Sequence, residues 1–593
     1  MMTKIKKYIT GCFVGCGIAA ATATFTGCTD FLTIYPNDRI VGSEFWKKKS
    51  DVETMVDGCY NSMIAYDIQE RAIMWGAFRS DELVKFTSHN DNTLDNISAV
   101  NLLPTNKYNT WGAFYKVINN CNIVLNHAAD VLEEDPEFTQ GDYEVVRAQM
   151  LALRSLCYFY LVRAFRDVPY TTHSYEVDSE IELLPQSTPA EVLQNCLNDL
   201  EDAQRSIMRS GAYGENAWRN KGYMTRDAVN ALMADIYLWR ASMTHNRSDY
   251  QQAIAYCNAV INAKHQYYEE HKIMTTTKDD EDIYHLIDGE DAMYEIFGSS
   301  GNSRESILEW QYINEDNVNT ALENYYYRSG ENSNNSILMA SNLFNEYESN
   351  ADTDRGTKFY RSKNDYRFWN NVYEANNEEM QQMSIRKMVD LTRESFTSST
   401  TKGVSKETNR DYKQFGQNWI VYRLTDVMLM KAEALVETAA NDSDAVVLKQ
   451  AFDLVHAVNK RSMMRNATDT LKFENFKTKA NFELLVMNER ERELCFEGKR
   501  WFDLLRFCYR HMEGVDANVL LADMTEGPKL YQPMLDMIVR KYESGDGPSG
   551  DAVSYKMKGE HFLYWPVAEN ELKVNKLLRQ NPVYIQEKTT SKY

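Results

Sequence analysis

The sequence predicts an all-α protein: a tetratricopeptide-like solenoid of helical hairpins, interrupted by a large irregular insert with short strands. Three observations carry that expectation. Apolar residues recur at spacings of three and four through long stretches on both sides of the chain's middle. Alanines fall in paired helices where two backbones must approach closely, and such pairs bury their faces only by stacking. Residues 267–415 abandon this periodicity for a polar, Tyr-rich texture.

Residues 1–27 precede the fold. Lys4, Lys6 and Lys7 make a positive start, and Gly11–Phe25 is a short stretch of apolar and small residues. It ends at Phe25-Thr26-Gly27-Cys28, small residues directly before a Cys. That is the pattern of a lipoprotein signal peptide with Cys28 as the lipid-attachment residue, an ordinary secretory leader being the alternative.

The body then reads in order. Periodic helices are expected over Glu44–Ala65, Tyr108–Leu132 and Gln140–Phe165, the last stopped by Asp167-Val168-Pro169 because Pro cannot continue a helix. Ser187-Thr188-Pro189 opens a helix over 192–208, with Pro in the first turn. Thr225–Ala241 and Tyr250–Ala263 form a hairpin, and Trp419–Glu437 with Val446–Ser462 repeats it. A further helix is expected over 483–507, with Gly498 at a bend or end. In the insert, Ser306–Tyr312 and Met383–Val389 look strand-like, while 397–410 and 542–551 are loops. The chain divides into the leader 1–27, a helical region 28–266, the insert 267–415 and a second helical region 416–593.

Composition excludes several functions. The chain has 593 residues and a net charge of −21, so no basic face for nucleic acid is expected, nor adhesion to an anionic membrane by charge alone. The body has no apolar run of 18 residues and a mean hydropathy of −0.54, which excludes a multi-span membrane protein. Seven Cys follow Cys28, odd in number and set in apolar helical runs, and read as small buried hydrophobes without disulfides.

Catalytic signatures are missing: no His-Glu-x-x-His, no Walker loop, no Gly-x-Ser-x-Gly. The protein is therefore read as not an enzyme. Glu489, Glu493 and Glu497 stand at i, i+4 and i+8, but no His accompanies them. Arg490, Arg492, Lys499 and Arg500 interleave with them, so a structural ion-pair network is favoured over a metal. Asp279–Asp282 and Asp288–Asp291 are candidates for a structural Ca²⁺, although neither has EF-hand spacing and a solvated loop is the favoured reading. No other cofactor is expected.

Four segments in order resemble the SusD/RagB family. They are Arg147–Pro169, ending Phe165-Arg166-Asp167-Val168-Pro169; Trp419–Leu435; Asn488–Leu504, containing Glu497-Gly498-Lys499-Arg500-Trp501-Phe502-Asp503; and Leu563-Tyr564-Trp565-Pro566-Val567 followed by Gln580-Asn581-Pro582. Asp354-Arg355 fits a fifth position loosely. The resemblance implies a lipid-anchored outer-membrane protein of a Bacteroidetes-type bacterium, facing the cell exterior. It implies a SusC-like TonB-dependent transporter as partner and a captured nutrient, most often an oligosaccharide. The alternative within the same lid role is a peptide or other nutrient, or mainly a structural gate.

Sugar capture needs flat apolar rings flanked by amides, carboxylates or guanidiniums. Loop aromatics meet that need better than helix aromatics, which pack cores. The ligand-binding residues expected on this basis are Trp75 with Arg79 and Asp81 on one wall, and Tyr325, Tyr326 and Trp369 from the insert on the other.

Overall fold

The computed structural model describes residues 45–214, 217–272, 283–298, 301–312, 317–327, 336–347, 358–373, 382–389, 393–398, 401–406, 416–464, 467–468, 471–524, 527–542 and 547–585. Cys28 and the leader, Asp279–Asp282 and Asp354-Arg355 lie outside them. Lys47–Tyr593 forms one compact unit.

Its frame is a run of helices: α1 Lys49–Met63, α2 Tyr66–Ile73, α3 Gly112–Glu134, α4 Gln140–Phe165, α5 Pro189–Ala203, α6 Arg226–Thr244 and α7 Arg247–Glu270. Beyond the insert come α8 Leu424–Thr438, α9 Ala445–Ser462, α10 Lys479–Leu494 and α11 Arg500–Arg510. Successive helices pack on one another: α1 on α3, α3 on α4, α4 on α5, α6 on α7, α8 on α9, and α10 on both α8 and α9. The solenoid also continues across the insert, because α7 packs directly on α8. The insert is thus spliced between two neighbouring hairpins, and the helical ladder is unbroken in space.

Local chemistry explains the boundaries. Thr139 caps α4 by accepting from the Asp142 amide at 3.2 Å, and the Asp142 carboxylate accepts from the Thr139 amide at 3.0 Å. The helix stops at Arg166, which has φ +65°. Thr188 caps α5 with Pro189 at its first position. The seven Cys after the leader are all free and buried, as expected.

Several expectations are corrected. The loop expected over 397–410 includes residues of the strands Arg393–Ser398 and Thr401–Lys406, and the strand expected over Met383–Val389 forms only isolated bridges at Met383 and Ile385. Trp419–Arg423 is not the start of a helix but a strand, and α8 begins only at Leu424. The stretch Trp-Ile-Val-Tyr is β-branched and aromatic, which suits a strand as well as a buried helix turn, and it found a partner in the insert. The helix expected over 483–507 is two helices, broken where Phe496 and Gly498 take φ of +66° and +69°.

Strands are short, and some of them stitch the insert to the frame. They are β1 Leu83–Lys85, β2 Ser306–Trp310, β3 Leu338–Ala340, β4 Arg393–Ser398, β5 Thr401–Lys406 and β6 Trp419–Arg423. All pairs are antiparallel: β1 with β3, β2 with β6, and β4 with β5. Leu83 faces Ala340, and Trp310 faces Trp419.

The most tightly built region is a buried ion network at the α10–α11 junction. Glu493 accepts from Arg423 Nη1 at 2.7 Å and Arg367 Nη1 at 3.1 Å, and it pairs with Arg461. Glu497 takes Arg423 and Lys387, each at 2.7 Å, and Glu489 takes Arg367 at 2.8 Å and Arg492 at 3.1 Å. The expected ion-pair network exists, but most of its cations come from the insert and from β6 and α9 rather than from the interleaved Arg and Lys. Glu497 lies past the end of α10, so the three carboxylates do not share one helix. Asp288 accepts from the Glu290 amide and caps a short helix at Gly289–Met293.

The first and last signature segments are also joined to each other and to their surroundings. Arg166 donates Nε to Glu560 at 2.8 Å and Nη2 to the Asp516 carbonyl at 2.7 Å. The Trp565 amide donates to the Ala164 carbonyl at 2.9 Å. The Gln580 amide closes on Val567, donating to its carbonyl at 2.8 Å and accepting from its N–H at 2.9 Å. These motifs are therefore architectural joints.

Candidate functional site

The six expected ligand residues do not form a binding surface. Trp75 lies in a wide helical turn, Met74–Phe78, directly after α2. It is fully buried, stacks on Phe114 at 5.2 Å, and donates Nε1 to the Tyr108 carbonyl at 2.8 Å. Arg79 is buried over the Trp501 ring at 4.3 Å and donates to the Leu563 carbonyl at 2.8 Å. Asp81 receives both arms of the Arg500 fork at 2.8 Å. Burial alone would raise its carboxyl, but Arg500 outweighs this and holds it below the usual range.

The Tyr325 hydroxyl donates to Glu70 at 2.5 Å and lies 3.1 Å from the Tyr108 hydroxyl, and the Tyr326 hydroxyl donates to the Phe496 carbonyl at 3.1 Å. Trp369 is half-buried against Tyr366 and Met464, its Nε1 bonded to the Lys363 carbonyl at 2.9 Å. Trp75 and Tyr325 meet at Tyr108, and Arg79 and Asp81 meet the start of α11. Five of these side chains are buried in the scaffold, folded inward by partners far along the chain, and Trp369 is half-buried.

The Arg500 site has a testable property. Arg500 also faces Glu491 at 2.8 Å, and burial together with Asp81 pushes the Glu491 carboxyl up to about 8 from 4.5. The native state thus holds that proton more tightly than the unfolded chain does. Its contribution is complete below about pH 4.5 and is lost as pH rises through 8. Glu491→Gln, which copies the protonated form, is expected to match the parent at pH 5. At pH 9 it should exceed the parent's unfolding free energy by more than about 1 kcal/mol, read by urea titration.

An open aromatic cleft of about 570 Å³ lies elsewhere, between α1, the loop before α6 and β2. Its floor is apolar, from Met63, Ile64, Leu153 and Leu156. One wall is an aromatic cluster. Tyr60 and Tyr223 stack at 4.3 Å and 9°, and Trp218 stands edge-on to Tyr223 at 5.4 Å. Trp218 is 45% exposed, one of the few large aromatic rings in the described chain with an open face. Gly222 lets that ring settle: a Cβ there would meet Trp218 Cε3 at 2.8 Å.

Polar groups ring the aromatics. The Tyr223 hydroxyl donates to Asp57, and the Tyr60 hydroxyl donates to Gln149 at 2.9 Å and accepts from the Met224 amide at 3.0 Å. From the insert, Gln311 is held by Asn302 and Asn418 at 2.9 and 3.1 Å. Exposed Asn61 and Asn317 complete the rim. Trp310 lines the cleft, and its buried indole N–H has no acceptor among the described residues. Such a site presents a stacking face, an apolar floor, and donors and acceptors of mixed type.

Trp218, Tyr223 and Tyr60 were not singled out from sequence. The signal was present: Gly211-Ala-Tyr-Gly-Glu-Asn-Ala-Trp-Arg-Asn-Lys-Gly-Tyr223 is an aromatic, Asn- and Gly-bearing connection between two helices.

Comparisons with known proteins give a consistent picture. Residues 304–584 match the family model described as "SusD family", and residues 30–238 match the one described as "Starch-binding associating with outer membrane". SusD-like protein P38 of Formosa agariphila is 24% identical over 504 residues, covering 82% of this chain and 90% of the relative. SusD-like protein P2 of the same organism is 22% identical, covering 82% and 88%. Among solved structures, a SusD superfamily protein from Bacteroides fragilis aligns with a TM-score of 0.62 at 18% identity, covering 91% of this chain and 100% of that one. Another, from Bacteroides thetaiotaomicron, has a TM-score of 0.59 at 16% identity, covering 90% and 99%. At these identities the solved structures speak for the fold.

Proposed function

This chain belongs to the SusD/RagB family of nutrient-binding outer-membrane proteins, and from that premise we propose that it captures an oligosaccharide in the Trp218 cleft. The carrying observation is the pairing of an exposed indole with stacked tyrosines over an apolar floor. A pyranose has an apolar face that lies on such a ring, while its hydroxyls turn to Asp57, Asn61, Gln311 and Asn317. The cleft volume falls in the range of small-molecule sites. The match to the family described as starch-binding supports the same ligand class.

The rest of the reading follows the family. The chain is held at the outer membrane by lipid on Cys28, faces outward, and passes its ligand to a SusC-like TonB-dependent transporter. Its role is capture rather than turnover.

A glycan array probed with the purified protein tests this. The expected result is retention on at least one soluble neutral oligosaccharide and loss of that retention in Trp218→Ala. Truncating an aromatic anchor of a binding site typically costs about 1–2 kcal/mol or more, so the affinity should fall roughly tenfold or more. Uniform silence across the array, or an unchanged Trp218→Ala signal, would sink the glycan reading.

A further inference from the structure

A second groove, of about 460 Å³, opens on a different side chain set, where the connection after α4 meets the C-terminal helix Glu569–Val574. Its walls are aliphatic and unusually exposed: Ile181 at 55%, Leu183 at 47% and Val574 at 71%, with Val177 and Leu577 beside them. Large aliphatic side chains left open together, rather than scattered singly, mark a surface that another molecule covers. The two walls are fixed to each other, since Asn575 Nδ2 donates to the Leu184 carbonyl at 2.8 Å. The Gln186 side-chain amide accepts from the Arg579 backbone N–H at 2.9 Å and donates to the Arg579 carbonyl at 3.0 Å.

Two more observations define the occupant. First, past the short 3-10 turn Asp178–Glu180, the backbone N–H groups of Glu182 and Leu184 donate to no protein acceptor among the described residues. Open amides two residues apart beside aliphatic side chains are able to take a peptide's carbonyls. Second, the charges lining the groove are Glu176, Glu182 and Glu571 against Lys116. Glu176 is engaged by His127 Nε2 at 2.6 Å, whereas Glu182 and Glu571 have no ion-pair partner among the described residues.

We propose that this groove docks a segment of a partner polypeptide that brings aliphatic side chains to Ile181, Leu183 and Val574 and flanking Lys or Arg to Glu182 and Glu571. A second copy of this chain fits poorly, since a two-fold contact would oppose the same acidic rim to itself. The inference uses none of the residues of the Trp218 cleft and stands apart from the sugar reading.

The test uses the purified protein and a fluorescein-labelled probe peptide, Lys-Lys-Leu-Val-Leu-Val-Lys-Lys, followed by anisotropy at physiological salt. Saturable binding is expected. It should fall at least tenfold in the double variant Ile181→Ser/Leu183→Ser, and equally for a twin probe with Glu in place of each Lys. Both positions are exposed, so the melting temperature should hold; if it drops, Val574→Ser on the opposite wall makes the same test. No saturable binding, or binding unchanged in the groove variants, overturns the proposal. So does a dimer in sedimentation that Ile181→Ser/Leu183→Ser converts to monomer, which would make a second copy the occupant.

Discussion

Glu493→Gln is expected to lower the unfolding free energy by about 3–5 kcal/mol, the range for breaking a buried ion pair from one side. Glu493 is 4% exposed and is shared by Arg423, Arg461 and Arg367. Burial alone would raise its carboxyl, but the three guanidiniums outweigh that and hold it well below the ordinary range. The amide keeps the shape and removes the charge. Arg423 and Arg461 then retain Glu497 and Glu305 as partners, yet the cluster carries an uncompensated cation out of reach of water. The exposed pair Lys573–Glu569 supplies the contrast, and Lys573→Ala should cost no more than about 0.5 kcal/mol. Urea denaturation of both variants measures the difference. A Glu493→Gln cost as small as that of the exposed pair would show that the network contributes little.

Gly76→Ala is expected to cost more than about 3 kcal/mol, at the top of the range for overpacking a core. A Cβ on Gly76 would overlap the Gly498 carbonyl, which is backbone and cannot swing aside. Gly498 is pressed from the other side, its own Cβ position 2.7 Å from the Ala72 carbonyl oxygen, and it holds φ +69°. The turn after α2 and the turn between α10 and α11 therefore touch backbone to backbone. Gly498→Ala adds left-handed strain to the same clash and should be at least as harmful, while the double variant should cost less than the sum because both disrupt one contact. Thermal melts of the three variants decide this; a melting temperature within about 2 °C of the parent for Gly76→Ala would refute the close approach.

The solenoid was legible because its signals are local. Thr139, the apolar run of 140–165 and Pro169 place α4 at its observed ends, and Thr188-Pro189 marks the start of α5, although that helix stops at Ala203 rather than at 208. Where partners are distant, sequence reading failed. Trp419–Arg423 became a strand because Ser306–Trp310 lies beside it, more than a hundred residues away. Glu493 and Glu497 could be seen as paired, but Arg461, Lys387 and Arg367 could not be matched to them by spacing.

The burial of Trp75, Tyr325 and Tyr326 was hidden for the same reason. Trp75, Tyr325 and Tyr326 sit in polar, loop-like sequence, yet Tyr108 and Phe496 fold over them. Trp218 has the same sequence texture and stays open, since what decides exposure is whether a remote segment covers the ring. The insert lines the cleft through Gln311 and Asn317, and Tyr325 and Trp369 lie outside it.

The most direct measurement is a calorimetric titration of the protein and of Trp218→Ala with the oligosaccharide best retained on the array, with melting curves run alongside. Saturable binding by the parent and at least tenfold weaker binding by Trp218→Ala are expected, with the melting temperature unchanged because the ring is exposed. Equal dissociation constants for the two proteins would contradict oligosaccharide capture at Trp218.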